Sequence, residues 1–299
     1  MPNIEQRNTE SHTDQGGKMS EKSISGNLKD YAVITLIISV LLFMYACSTS
    51  SVRSSYSAKE RAIAEVIDGG RLYDKWWIET AGGEEPKEDH PLWKLQTTNK
   101  RKGSATWRCK ECHGWDYMGK DGVYGTGSHK TGFPGVLGVR NKSIEEIESI
   151  LKGSTNPDHN FTTVLDYDSI SKLAVFIKKG LIDLRSRIDY ENKRPVMADA
   201  QNGKKLFKDT CVKCHNEKGN ELNFGSEDKK EYIGTIANDN PWELVHKIRF
   251  GQPGAICPSL RVQLKLSDKE KRMPSGIETG YIMSDVMDIL EHTRSLPTE

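Results

Sequence analysis

Cys-X-X-Cys-His occurs twice in this 299-residue chain, as Cys109-Lys110-Glu111-Cys112-His113 and as Cys211-Val212-Lys213-Cys214-His215. Cysteines three residues apart fall on one side of a helical turn. Both thiols can therefore reach the same edge of one flat ligand, and the adjacent imidazole can reach its centre. This is the pattern of covalent haem attachment: two thioethers hold the macrocycle and the histidine serves as proximal iron ligand. The segments around each motif must then fold as a wrapping for a large apolar body. A single zinc site built from Cys109, Cys112, Cys211 and Cys214 is the competing reading, but it leaves the repeated histidines without a role. A thioredoxin-like CxxC needs a βαβ setting, and no segment shows strand alternation.

The remaining cysteines, Cys47 and Cys257, do not make a disulfide framework. A formal net charge of +1 gives no reason to expect a nucleic-acid partner. The hydrophobic fraction, 35%, is modest for a globular chain, and a haem in each half would add the missing apolar bulk.

Residues 1–30 are polar, without apolar period, and read as a disordered cytoplasmic leader. Tyr31–Ala46 is an unbroken apolar run, long enough for a helix of about 24 Å. Cys47 follows, then a serine-rich stretch. Residues 31–47 are read either as a lipoprotein-type signal with Cys47 lipidated or as an uncleaved membrane anchor, with Met19 an alternative start and 48–60 a linker. Covalent haem attachment in bacteria takes place outside the cytoplasmic membrane, so either reading puts the haem regions in the cell envelope, on the periplasmic side.

Beyond the linker the chain reads as a divergent tandem repeat, 61–192 and 196–299, joined at Lys193-Arg194-Pro195. Each copy opens with a Gly-X-X-Leu-aromatic step, Gly69-Leu72-Tyr73 and Gly203-Leu206-Phe207. The Cys-X-X-Cys-His motif follows, then a glycine-rich connection, 122–138 and 219–234. An amphipathic helix ending in glycine comes next, 143–153 and 241–251, and a last helix closes each copy, 168–179 and 284–294. Asp166, Asp168 and Ser284 are candidate N-caps. Copy one carries an extra polar stretch, 81–102, expected as a surface loop near one haem edge.

The order resembles class I cytochrome c taken twice, most plainly in WRCKECHGWDYMGKDG with GFPG, and in NGKKLFKDTCVKCH with NPWELVHKIRFGQPG and MPSGIETGY. The resemblance implies an all-α fold of two tandem cytochrome c-like helical domains behind the N-terminal signal or anchor. It also implies two covalent haem c groups, with Cys109, Cys112, His113, Cys211, Cys214 and His215 as attachment residues. Pro134 stands where the family has a proline that fixes the proximal histidine; it is equally readable as a turn residue.

The family's distal ligand follows the glycine-ended helix and is usually Met before Pro. In copy two Met273-Pro274 fits, and Cys257-Pro258 is the alternative; MPSGIETGY runs directly into the last helix, which favours Met273. In copy one His159 occupies the slot, six residues after Gly153, against a reading as an exposed loop histidine. Met118 and His129 lie too near the motif to reach the far face, and His90, His246 and His292 read as structural or exposed. These choices make haem one bis-histidine and haem two histidine–methionine. The resulting expectation is a membrane-tethered electron carrier without catalytic residues, serving unidentified redox proteins. The alternatives are a dihaem oxidoreductase of thiosulfate type, with Cys257 on the iron, and an electron-relay subunit of a respiratory complex.

Overall fold

The computed structural model describes residues 57–256 and 272–299, which belong to one compact unit. The leader, the segment 31–47, Cys47 and Cys257 lie outside the described residues. Among the described residues no helix is long and apolar enough to cross a membrane.

Among the described residues the regular elements are helices, apart from one two-residue strand pair and isolated bridges. Helix α1, Ala58–Glu79, starts inside the expected linker because Ser57 and Glu60 form a reciprocal capping box. The first motif is a short helix, α2 (Cys109–His113), ended by Gly114 at φ +78°. Helix α3 (Ile144–Leu151) has a capping box between Ser143 and Glu146. Helix α4 (Tyr167–Val175) is capped by Asp166, which places Asp168 within its first turn rather than at the cap, and it runs on into a π-helical turn at Phe176–Gly180.

The expected linker forms a small hairpin: β1 (Ile188–Asp189) pairs antiparallel with β2 (Arg194–Pro195). Among the described residues, helices α5 (Ala200–Thr210), α6 (Val212–His215), α7 (Ile233–Asp239), α8 (Pro241–Phe250) and α9 (Met283–Arg294) follow. Two expectations are corrected here. Helix α7 begins in what reads as glycine-rich connection; Ile233 and Ala237 bury one face of it, and its N-cap, Tyr232, is not a residue that announces a helix start. The N-cap of α9 is Ile282 rather than Ser284, because the Asp285 carboxylate accepts its backbone N–H at 2.9 Å.

The repeated glycines mark repeated helix crossings. A Cβ on Gly69 would lie 2.1 Å from the Lys172 carbonyl oxygen, so α1 and α4 touch backbone to backbone there. A Cβ on Gly203 would lie 1.9 Å from the carbonyl oxygen of Asp288, and α5 meets α9 in the same way. Two apolar cores result, and each borrows from the other half. Phe250 of α8 belongs to the first, while Trp115, Tyr124, Leu184 and Ile188 belong to the second.

Charge also crosses between the halves. Asp74 on α1 is fully buried and pairs with Arg108, at the entry to α2, and with Lys247 on α8. Burial alone would raise its pKa, but Lys247 and Arg108 overcome that and hold the carboxyl well below the usual range. A carboxyl depressed in the folded state stabilises fully above its unfolded pKa of about 3.9 and loses that contribution as pH falls toward its lower folded value.

Gly203→Ala is expected to lower stability by about 1–3 kcal/mol, read as a lower thermal midpoint. Asp74→Asn leaves two buried cations uncompensated and is expected to cost about 3–5 kcal/mol at neutral pH. Between pH 5 and 2 the wild-type midpoint should fall more steeply than that of Asp74→Asn; parallel slopes in calorimetry would count against this role of the carboxylate.

Candidate haem sites

The first motif is an amphipathic turn. Lys110 and Glu111 point into a polar network: Glu111 accepts from Asn99 Nδ2 at 2.8 Å and lies 3.3 Å from both Arg101 and His129. Cys109, Cys112 and His113 instead line a cavity of 390 Å³ whose wall is almost wholly apolar, within the range of about 300–1,000 Å³ usual for cofactor sites. Helix α1 holds the motif in place. The Tyr73 hydroxyl donates to the Gly114 carbonyl at 2.7 Å, Trp76 Nε1 to Trp107 O at 3.2 Å, and Arg108 Nε to Asp74 O at 2.9 Å.

The orientation of His113 follows from backbone contacts. Gly119 N–H donates to the His113 carbonyl, and Lys120 N–H to that of Phe133, which draws the 132–135 loop under the imidazole. The loop fits because Gly119, at φ +54°, would otherwise place a Cβ 2.5 Å from the Phe133 oxygen. His113 Nδ1 then lies 2.7 Å from Pro134 O. A carbonyl only accepts, so Nδ1 carries the hydrogen and Nε2 keeps its lone pair. Burial, with smaller contributions from His159 and His90, lowers the His113 pKa to about 4, so the ring is neutral at pH 7, as a metal ligand must be.

His159 reaches the same cavity. Helix α3 stops at Gly153, φ +85°, and the returning strand is pinned by Phe161 N–H to Leu151 O at 3.0 Å. Asn156 caps the single turn Pro157–His159. The His113 and His159 ring centroids are 6.2 Å apart. With metal–nitrogen bonds of about 2.0–2.1 Å, two imidazoles on opposite sides of one ion have centroids roughly 6.3 Å apart. The residues present therefore fit a bis-imidazole iron with the macrocycle tethered through Cys109 and Cys112. Both thiols are free, and burial pushes Cys109 up to about 12 and Cys112 higher still.

The 81–102 stretch is more than a surface loop: His90, Leu92 and Leu95 form part of the cavity wall, and His90 and Trp93 are buried. His90 Nδ1 accepts from Leu92 N–H at 3.1 Å, and burial, then His159, lowers its pKa to about 4. The one sequence sign of burial in this segment is the Leu92-Trp93 pair. His129 stacks on Tyr124, 4.5 Å between centroids, and neither it nor Met118 lines the cavity.

The second motif lines a smaller cavity of 50 Å³ together with Met273, Tyr281, Leu244 and Ile248. Cys211, Cys214, His215 and Met273 are thus brought to one place. His215 is buried, its Nδ1 has no hydrogen-bond partner, and burial lowers its pKa to about 4. Cys211 is free, whereas Cys214 is disulfide-bonded. The residue types suit a haem with His215 and Met273 as axial ligands, but the volume does not hold a macrocycle as the walls stand, and thioether formation needs Cys214 as a thiol.

Comparison with known proteins bears on this second half. Residues 198–273 match the family model described as "Cytochrome C oxidase, cbb3-type, subunit III". No curated protein matches the chain, and no solved structure does. The matched stretch runs from the start of α5 through the second motif to Met273, and it supports a c-type cytochrome domain, with covalent haem c and electron transfer as its chemistry.

Proposed function

We propose that this chain is a dihaem c-type cytochrome that transfers electrons at the cell envelope, tethered to the membrane by residues 31–47 or by lipidated Cys47. Haem one is held by Cys109 and Cys112 and ligated by His113 and His159. At the second motif Cys211, Cys214, His215 and Met273 are the residues that would hold haem two, once Cys214 is a thiol and the 50 Å³ cavity opens. The observation that carries the reading is the 6.2 Å separation of His113 and His159 across an apolar cavity that also presents both cysteines of the motif.

When bound, haem iron supplies one-electron chemistry at a potential set by its axial ligands and surroundings. The protein's own part is positional. Pro134 accepts the His113 Nδ1 hydrogen, which fixes the ring and raises the basicity of Nε2. Trp107, Phe161, Ile147 and Leu173 line the cavity with apolar surface that excludes water. His159 and Met273 would fill the position opposite each proximal histidine and leave none for a substrate, which favours carrier over enzyme. Methionine ligation raises the potential relative to bis-histidine ligation, so ligation by His215 and Met273 would make haem two the higher-potential centre. A second reading, a relay subunit of a larger respiratory complex, draws on the matched family model, whose description names an oxidase subunit.

Mass, potential and spectrum test the proposal. Mass spectrometry of chain matured in a host with cytochrome c assembly should show two added haems; a gain of one or none refutes the dihaem reading. Redox titration should resolve two one-electron waves. His159→Ala should turn the low-potential centre into a high-spin, carbon monoxide-binding one, and leave the far-red ferric band of methionine ligation intact. Loss of that band in Met273→Ala, but not in Cys257→Ser, identifies the ligand of haem two. A stable partner that co-purifies from membranes would favour the relay subunit.

A further inference from the structure

Three imidazoles line the cavity of haem one, whereas iron offers two axial positions. The third ring, His90, is 6% exposed and is held at two points. Its backbone N–H donates to Thr106 Oγ1 at 2.8 Å, and its Nδ1 accepts the Leu92 N–H at 3.1 Å. A nitrogen that accepts carries no hydrogen, so the single hydrogen of the neutral ring is on Nε2. That N–H has no hydrogen-bond partner among the described residues. Trp107, edge-on at 4.5 Å, and Phe161, at 5.5 Å, leave the ring little freedom to turn it elsewhere. Four other donors along the wall are already committed: Tyr73 to Gly114 O, Thr106 to Gly103 O, Arg108 to Asp74, and His113 to Pro134 O. The segment that carries His90 is itself latched down, with Asn99 Nδ2 donating to Glu111 at 2.8 Å and Asp89 accepting the Gly103 N–H at 2.6 Å.

We propose that His90 Nε2–H donates to a carboxylate of haem one, a contact supplied by the inserted stretch 81–102. The proposal rests on the reading that Cys109, Cys112, His113 and His159 hold a haem. A buried N–H without an acceptor is costly, and the group that fills this cavity carries two carboxylate side chains on its rim. A carboxylate against an apolar wall needs a donor there in turn. A hydrogen bond to an ionised acceptor is also stronger than a neutral one. The tautomers divide the work between the two rings. His159 Nδ1 lies 3.5 Å from the Ile150 carbonyl, which favours a hydrogen there and a lone pair on Nε2 for iron. His90 has the opposite arrangement and could ligate through Nε2 only by giving up the Leu92 N–H.

The test uses the full haem-loaded chain in detergent, with haem labelled with carbon-13 at its carboxyl carbons, and infrared difference spectra of wild type minus variant. His90→Asn keeps an oxygen for the Leu92 N–H, as a good N-cap does, but its shorter side chain removes the N–H from the cavity. His90→Phe keeps a ring against Trp107 and removes both nitrogens. In each variant one labelled carboxylate band is expected to shift, and it should be the same band in both. The low-spin spectrum of bis-imidazole ligation should stay as in wild type, which a merely structural role of His90 would not separate from the carboxylate shift. In nitrogen-15-labelled ferrous protein, His90 should show a downfield Nε2–H signal that exchanges slowly with solvent and needs no added anion.

Unshifted carboxylate bands in both variants would overturn the proposal. So would loss of low-spin ligation in His90→Asn, which marks His90 as an iron ligand. An Nε2–H signal that appears only with added acetate marks a free anion in the cavity and overturns it as well. If neither variant matures, the wild-type nitrogen-15 spectrum decides, and a hydrogen on Nδ1 instead of Nε2 overturns the proposal. Peptide mass spectrometry separates the two levels. A chain without haem at Cys109 and Cys112 refutes the haem-one reading and the proposal together, whereas a loaded chain with unshifted bands refutes the role of His90 alone.

Discussion

The buried carboxylate of Asp74 is the contact on which most of this architecture turns. It stands on α1, takes Arg108 from the entry to the first motif, and takes Lys247 from α8 in the other half. Arg108, Lys110 and Lys247 also lie 5.8, 5.3 and 5.1 Å from the ring centre of the fully buried Trp115. Charges this deep are tolerable only when paired, since an uncompensated one costs several kcal/mol. The pairing therefore restricts where three separate segments can lie. It sets the polar side of α2 into a charged network, and the cysteines and His113 are thereby turned toward the apolar cavity.

A neutral polar contact repeats the theme beside it. His246 on α8 is buried, with Nε2 2.9 Å from Gly70 O and Nδ1 2.9 Å from the Tyr117 hydroxyl. The carbonyl requires a hydrogen on Nε2, so Nδ1 accepts from Tyr117. Burial is the largest of the influences that lower the His246 pKa to about 3, so the ring stays neutral. One ring thus spans α1, the stretch after the first motif, and α8. With Phe250 packed edge-on against Phe176 at 5.2 Å, it joins the two cores. The geometry around Met273 extends this arrangement: α1 walls one cavity through Tyr73 and reaches the loop bordering the other through Arg71 and Glu79.

Much of the site is legible in the chain itself. The paired motifs, the glycine-ended helices and the slots after Gly153 and Gly251 all lie at short sequence separations, where chemistry and helical geometry leave few choices. His113 and Pro134, 21 residues apart, already sit within one loop's reach. His90 is not legible in the same way. It lies in an inserted polar stretch whose composition is that of a solvated loop, and only the folding of that stretch over the cavity mouth buries it. Ser284 and Asp168 show the limit at helix ends: several capping side chains stand within a residue or two of each other, and the backbone direction chooses among them.

By itself the sequence set out the two Cys-X-X-Cys-His motifs, the glycine-ended helices and the order of all the described helices but α7, because each depends on residue type and local spacing. Tertiary structure alone decided that the two halves would share cores, that Asp74 would pair across them, and that the loop of Met273 would hang on Arg71 and Glu79. Those contacts join residues about 170 to 200 positions apart. No local rule relates such residues. They meet only because burying the apolar faces of α1 and α8 together costs less than leaving either in water.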